Sequence, residues 1–171
     1  MLQRLGGGMA DRISFAQANF ENPAEIAGVL EGCDLVIHTA GPFQQRKLPE
    51  VLDAAIEKGV PYVDVCDEKQ LCVAAKERRD RAKSAGVPAI ISAGIWPGVS
   101  AVLAAACVDE MRAKGAEAEE IEMSFFTAGT GNAGATIVAA TFLLLVEPVL
   151  CFANGKAVEE EPWTGKRKAD F

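Results

Sequence analysis

The residues of this chain that could do chemistry are few. Asp64, Cys66 and Asp67 stand together just after a short apolar run. Two carboxylates at a strand end could hold magnesium or act as acid and base. A thiol at a helix N-terminus could be reactive. No further carboxylate cluster accompanies them, so Asp67 is expected to cap the helix that follows. The one histidine, His38, sits inside Asp34–Ala40, an almost unbroken apolar stretch. It is expected to be a core imidazole with one hydrogen-bond partner, which leaves no Ser–His–Asp arrangement to assemble. The five cysteines, at 33, 66, 72, 107 and 151, show no CxxC or Cys/His spacing. Structural zinc is therefore not expected, and the thiols read as reduced and mostly buried, as in a reducing compartment.

Glycines offer a second kind of chemistry. Gly129-Thr130-Gly131-Asn132-Ala133-Gly134 has GxGxxG spacing between a strand-like and a helix-like segment, the context of a dinucleotide fingerprint. The segment before it, Glu120–Phe125, alternates Ile121, Met123 and Phe125 with Glu120, Glu122 and Ser124. A strand with one wet face belongs to an antiparallel sheet, not to the buried parallel sheet such a fingerprint serves. The helix after it leads to Asn154-Gly155, a hairpin signal. The cluster is read as a glycine-rich turn facing a first domain across a cleft. Gly6-Gly7-Gly8 follows no apolar strand and reads as a loop.

The elements that would position these residues alternate. Ile13–Asn19 reads as a strand, and Asn22-Pro23 opens a helix over Ala24–Leu30. Asp34–Ala40 is the next strand. Leu48, Val51, Leu52, Ala55 and Ile56 make one helical apolar face, closed by Gly59. Val60–Val65 is a strand, Glu68–Ala85 a long polar helix, and Val87–Ala93 a strand. One phrase is used twice, Lys58-Gly59-Val60-Pro61 and Ala85-Gly86-Val87-Pro88. It predicts a glycine C-cap feeding a strand that starts at proline. Alternating strands and helices, with strands apolar on both faces, predict a doubly wound parallel α/β sheet. After Gly98 come a helix over Val99–Lys114, the strand Glu120–Phe125, an apolar helix and a hairpin. These predict the start of an α+β domain, with the boundary near residues 95–115.

In an open parallel sheet, ligands bind beyond the carboxyl ends of the strands. That rule selects Ala18–Phe20, Thr39–Phe43, Val65–Glu68 and Ala93–Gly98. Gly41 and Gly94 would let a ligand approach the backbone, while Pro42 and Pro97 would hold the turns rigid.

Composition narrows the classes. The chain has 171 residues, 50% hydrophobic and 24% charged, with a net charge of −7. A core can be buried. An acidic chain with one short basic stretch, Lys166-Arg167-Lys168, is a poor nucleic-acid ligand. The longest apolar run, Ala133–Val146, falls short of the roughly 20 residues of a membrane span. No apolar stretch of signal-peptide type follows Met1.

Three stretches together resemble the saccharopine dehydrogenase-like family: Asp34–Phe43, Ala54–Val65 and Ala93–Ser100. The segment Phe125–Gly131 is similar to that of its plant, algal and cyanobacterial-type members. The resemblance implies an incomplete Rossmann-like domain over residues 1–98 that binds NAD or NADP. It implies a linking helix and partial α+β substrate domain over 99–171. It also implies an internal fragment, lacking the first strand and its phosphate-binding loop. By this resemblance Asn19 lies near the adenine, and Thr39, Ala40, Gly41, Pro42 and Phe43 line the pyrophosphate and nicotinamide side. Cys66, Asp67, Trp96 and Gly98 face the substrate cleft. The acids and histidine of saccharopine-forming enzymes are replaced here by Trp96-Pro97-Gly98-Val99-Ser100-Ala101, so the expected activity is an oxidoreductase with another small-molecule substrate. No catalytic acid or base is assigned. The Tyr-x-x-x-Lys pair of short-chain dehydrogenases is absent, since Cys66 stands where the lysine would be. The alternative is a non-catalytic Rossmann-like binding or redox-sensing module. A soluble protein is expected, possible as a homo-oligomer, in the cytoplasm or, if a transit peptide lies upstream, in a plastid.

Overall fold

The computed structural model describes residues 12–40, 45–126, 134–164 and 168. The first helix, α1 (Pro23–Val29), starts where Asn22 accepts the Ala24 N–H at 3.1 Å with Pro23 in the first turn. Strand β1 (Val36–His38), helix α2 (Glu50–Lys58), strand β2 (Tyr62–Asp64), helices α3 (Lys69–Glu77) and α4 (Arg79–Ser84) and strand β3 (Ala89–Ile90) follow. The three strands form one parallel sheet in the order β1-β2-β3. This is the α/β parallel architecture expected of a partial Rossmann-like domain.

The repeated phrase is one turn built twice. Gly59 and Gly86 both take left-handed φ, 72° and 68°. The Val60 N–H reaches back to the Ala55 carbonyl at 2.9 Å, and the Val87 N–H to Ala82 at 2.9 Å. These are the six-to-one bonds of Schellman caps, with buried Val60 and Val87 as their apolar contacts. The following prolines then accept in the same way: Pro61 from the Val36 N–H at 2.8 Å, Pro88 from the Tyr62 N–H at 3.0 Å. A repeated sequence thus yields a repeated strand start.

The core joins α1, α2 and the helix-facing side of the sheet. Ile26, Leu30, Val51, Leu52, Ala55 and Ile56 pack with Val36 and Tyr62. The row Ile37–Val63–Ile90 runs across the other side of the sheet in register, with Ile37 and Ile90 66% and 63% exposed.

Beyond the sheet, α5 (Val99–Ala113) and α6 (Ala135–Leu144) precede the antiparallel hairpin of β4 (Val149–Ala153) and β5 (Lys156–Glu160). Asn154 and Gly155 form its turn, both at positive φ, as the sequence predicts. No helix among the described residues is long and apolar enough to cross a membrane.

Three expectations are corrected. Ile13–Asn19 and Glu120–Phe125 are not strands. Neither pairs with another strand among the described residues, and Phe15 is 87% exposed. Alternation alone does not make a strand when the N–H and C=O groups have no ladder to join. The long helix predicted over Glu68–Ala85 is broken at Arg78. There the guanidinium takes the Ala74 carbonyl at 3.2 Å, while the Arg78 N–H turns to Ala75 at 3.1 Å.

Candidate functional site

The carboxyl ends of β1, β2 and β3 form a rim held by two buried acids. Asp64, the last residue of β2 and 5% exposed, accepts the N–H groups of Cys66 at 3.0 Å and Ser92 at 2.7 Å through one carboxylate oxygen. Its own carbonyl accepts the Ala93 N–H at 2.8 Å. Asp64 therefore ties the turn after β2 to the turn after β3. Glu68 reaches the other way, and its carboxylate accepts the Gln45 N–H at 3.0 Å. That bond fixes the chain leaving β1 against the β2 turn. Charge-assisted bonds of this kind are about twice as strong as neutral ones.

Behind the rim lies a polar relay. Asp64 is in register with His38, and His38 Nδ1 lies 3.1 Å from the Tyr62 hydroxyl. Burial, then the charge of Asp64 and a hydrogen bond to it, push the Tyr62 pKa far up. Which of His38 and Tyr62 donates across their contact is set by the imidazole tautomer. His38 Nε2 is buried and has no partner among the described residues. His38 lines a cavity of about 10 Å³, room for about one water. Burial lowers the His38 pKa despite the opposing pull of Asp64. His38 is the internal imidazole with one partner that the sequence predicts.

The thiols sort differently from expectation. Cys66 is buried, and its pKa is pushed up by a hydrogen bond to Cys72 and by burial. Cys72, in the first turn of α3, is brought down to about 7 by the hydrogen bond from Cys66 and one from Ser92. The Cys72 Sγ to Ser92 Oγ distance is 2.9 Å. The ionisable thiol of this site is Cys72. Asp67 does not cap α3: the N-cap is Glu68, without a side-chain cap bond. Burial raises the Asp67 pKa, and its Oδ1 is buried without a partner among the described residues.

The third tip is a tight backbone loop. Gly94 and Gly98 form an isolated bridge. Gly98 has φ 127°, and a Cβ there would meet the Gly94 carbonyl oxygen at 2.2 Å. The Trp96 ring lies 4.9 Å from that of Phe125. Thr39 and Ala40 are exposed at the end of β1. Gly41, Pro42 and Phe43 lie outside the described residues, as do Gly6–Gly8 and Gly129–Ala133 of the glycine clusters. Asn19 stands at the entry to α1, where its N–H donates to Glu25 at 2.8 Å and its Oδ1 accepts from Glu21 at 3.0 Å. Thr39, Ala40, Cys66, Asp67, Trp96 and Gly98 all follow the parallel strands on one edge; Asn19 belongs to the α1 entry instead. Among the described residues no group of His, Cys, Asp and Glu could hold a metal ion.

Sequence reasoning missed Cys72, Ser92 and the bridging role of Glu68. For Ser92 the signal was present. The pairs Tyr62–Ala89 and Val63–Ile90 keep the spacing of Pro61 and Pro88, which brings Ser92 beside Val65 and hence near Cys66.

Residues 7–90 match the family model described as the saccharopine dehydrogenase NADP binding domain. Carboxyaminopropylagmatine dehydrogenase of Synechocystis sp. is 36% identical over 80 residues, covering 43% of this chain and 19% of that protein. The chain thus matches less than a fifth of that relative's length.

Proposed function

We propose that the protein, whose residues 7–90 match the saccharopine dehydrogenase NADP binding domain model, acts as an NAD(P)-dependent oxidoreductase of that type on a small molecule. The observation that carries the reading is the rim of β1, β2 and β3, joined by Asp64 and Glu68. It lies where open parallel sheets bind ligands. Its make-up fits a dinucleotide: Thr39 and Ala40 are small and exposed, and the Gly94–Gly98 loop leaves no room for a side chain at 98.

The bound cofactor supplies hydride transfer to or from a carbon bearing nitrogen or oxygen. The chain's residues bind and orient it. Thr39, Ala40, Gly41, Pro42 and Phe43 line the pyrophosphate and nicotinamide side, and Asn19 lies toward the adenine. Asp67, Trp96 and Gly98 face the substrate; Cys66, which the resemblance puts in the same cleft, is buried in the turn after β2. Residues 1–98 make up the cofactor-binding part, and 99–171 the linking helix and the start of an α+β substrate domain. The Trp96–Phe125 contact supports a cleft between them. The Synechocystis relative, named as a dehydrogenase, supports the reaction class, and Phe125–Gly131 supports the affiliation with plant, algal and cyanobacterial-type members.

The test is a fluorescence titration with NADPH and NADH of the protein, Gly41→Val and the control Gly59→Val. Loss of binding in Gly41→Val alone supports the reading. Equal affinity in wild type and Gly41→Val moves the cofactor away from the Thr39–Phe43 tip. One observation favours a second reading, a non-catalytic redox-sensing module: the hydrogen-bonded cluster of Cys66, Cys72 and Ser92.

A further inference from the structure

We propose that Cys66 and Cys72 are a redox-active thiol pair, which hydrogen peroxide converts to a disulfide across the turn between β2 and α3. The two cysteines are neighbours in the reduced protein. Cys72 Sγ lies 2.9 Å from Ser92 Oγ and 3.6 Å from the Cys66 carbonyl oxygen, and the two thiols hydrogen-bond each other. The Ser92 hydroxyl lies within hydrogen-bond reach of the Cys72 sulfur, and it and the Cys66 thiol can each donate to a thiolate there. Two donors stabilise its thiolate, while Asp64 and Asp67 oppose it. The thiolate is the nucleophile in thiol oxidation.

The chemistry balances in two steps. The Cys72 thiolate attacks one peroxide oxygen, the O–O bond breaks, and the departing hydroxide takes a proton to leave as water. Cys72 is then a sulfenic acid, oxidised by two electrons. The Cys66 sulfur attacks the Cys72 sulfur, the S–O bond breaks, and the leaving hydroxide takes the Cys66 proton as a second water. Two thiols and one peroxide have become one disulfide and two waters. Cys66 is buried and holds its proton, so it suits the resolving role; Cys72, half-buried, is the peroxide-facing partner. The product joins the β2 turn, which carries Asp64 and Glu68, to α3. Oxidation would therefore lock the rim described above.

Tryptic mapping tests this in the full chain. Cleavage after Lys58, Lys69 and Lys76 puts Cys66 in peptide 59–69 and Cys72 in peptide 70–76. After hydrogen peroxide and alkylation of remaining thiols, the expected product is these two peptides joined, lighter by two hydrogens. It should dominate over links to Cys33, Cys107 and Cys151, although those three are exposed. Ser92→Ala keeps both thiols but removes one donor, and should slow the link about tenfold. Cys33→Ser should leave the rate unchanged. Links mainly through the exposed cysteines, or an unchanged rate in Ser92→Ala, would overturn the proposal.

Discussion

His38 and Tyr62 are joined by one side-chain hydrogen bond of 3.1 Å from β1 to β2, beneath the rim that Asp64 holds. The bond couples the imidazole tautomer to the phenol proton. It also holds the ring in surroundings that favour its neutral form, because burial lowers the His38 pKa.

A stability slope follows, and its sign is set. The folded protein keeps His38 neutral to lower pH than the unfolded chain, whose imidazole takes its proton at about 6.5. Below that value the unfolded state binds more protons, so stability falls as pH falls from about 6.5 toward the lowered folded value. Urea midpoints across this window should fall in wild type and flatten in His38→Asn. An equal slope in both would place the titration elsewhere.

Gly98→Ala should damage the third tip more than Gly94→Ala. A Cβ at 98 meets Gly94 backbone atoms at 2.2 and 2.8 Å, whereas a Cβ at 94 meets nothing closer than 3.5 Å. The loop must open in the first case only. Thermal melts of both variants, with NADPH titration alongside, should show a lower Tm and weaker binding for Gly98→Ala. Gly94→Ala should stay close to wild type.

Gly59→Ala and Gly86→Ala should cost about the same, roughly 1 kcal/mol each, because both residues hold the same left-handed cap. Neither Cβ would meet an atom within 4 Å, so the cost is conformational alone. Denaturant curves should give matched losses. A large loss at one site and none at the other would mean that the two turns are not energetically equivalent.

Leu52 is 1% exposed and lies at the centre of the α2 packing. Leu52→Ala should cost about 2–5 kcal/mol, the range for a buried leucine truncation. A stability loss from urea unfolding of less than half that amount would mean that α1 and α2 close over the gap.

What was legible in the sequence was local. Val36–His38 and Tyr62–Asp64 stood out because apolar runs ended at Gly-Pro or began at proline. The cap phrase around Gly59 and Gly86 carried its own hydrogen bonds within six residues. What was not legible depended on distant partners. The break at Arg78 goes with Asp53, 25 positions earlier, whose carboxylate holds the guanidinium at 3.2 and 3.3 Å. Ile13–Asn19 read as a strand and Glu120–Phe125 had a strand's alternation, but neither finds a partner strand among the described residues. At the site, the tips were found by the strand-end rule. The bonds joining them run from Glu68 to Gln45 and from Asp64 to Ser92, across separate turns, and no single stretch of sequence encodes them.

The twin caps make the domain intolerant of length change in some places and indifferent in others. Each one is a fixed mark: the distance from the buried helix face to the first sheet-bonded proline is set to the residue. One residue inserted within α2 turns every later position by about 100°, so either Leu52 or Ile56 leaves the core or Gly59 loses its place. The same insertion in the exposed turn at Asn154-Gly155, beyond both marks, moves no register upstream. Affinity tags, fluorophores or permuted termini placed there should leave the parallel sheet as it is.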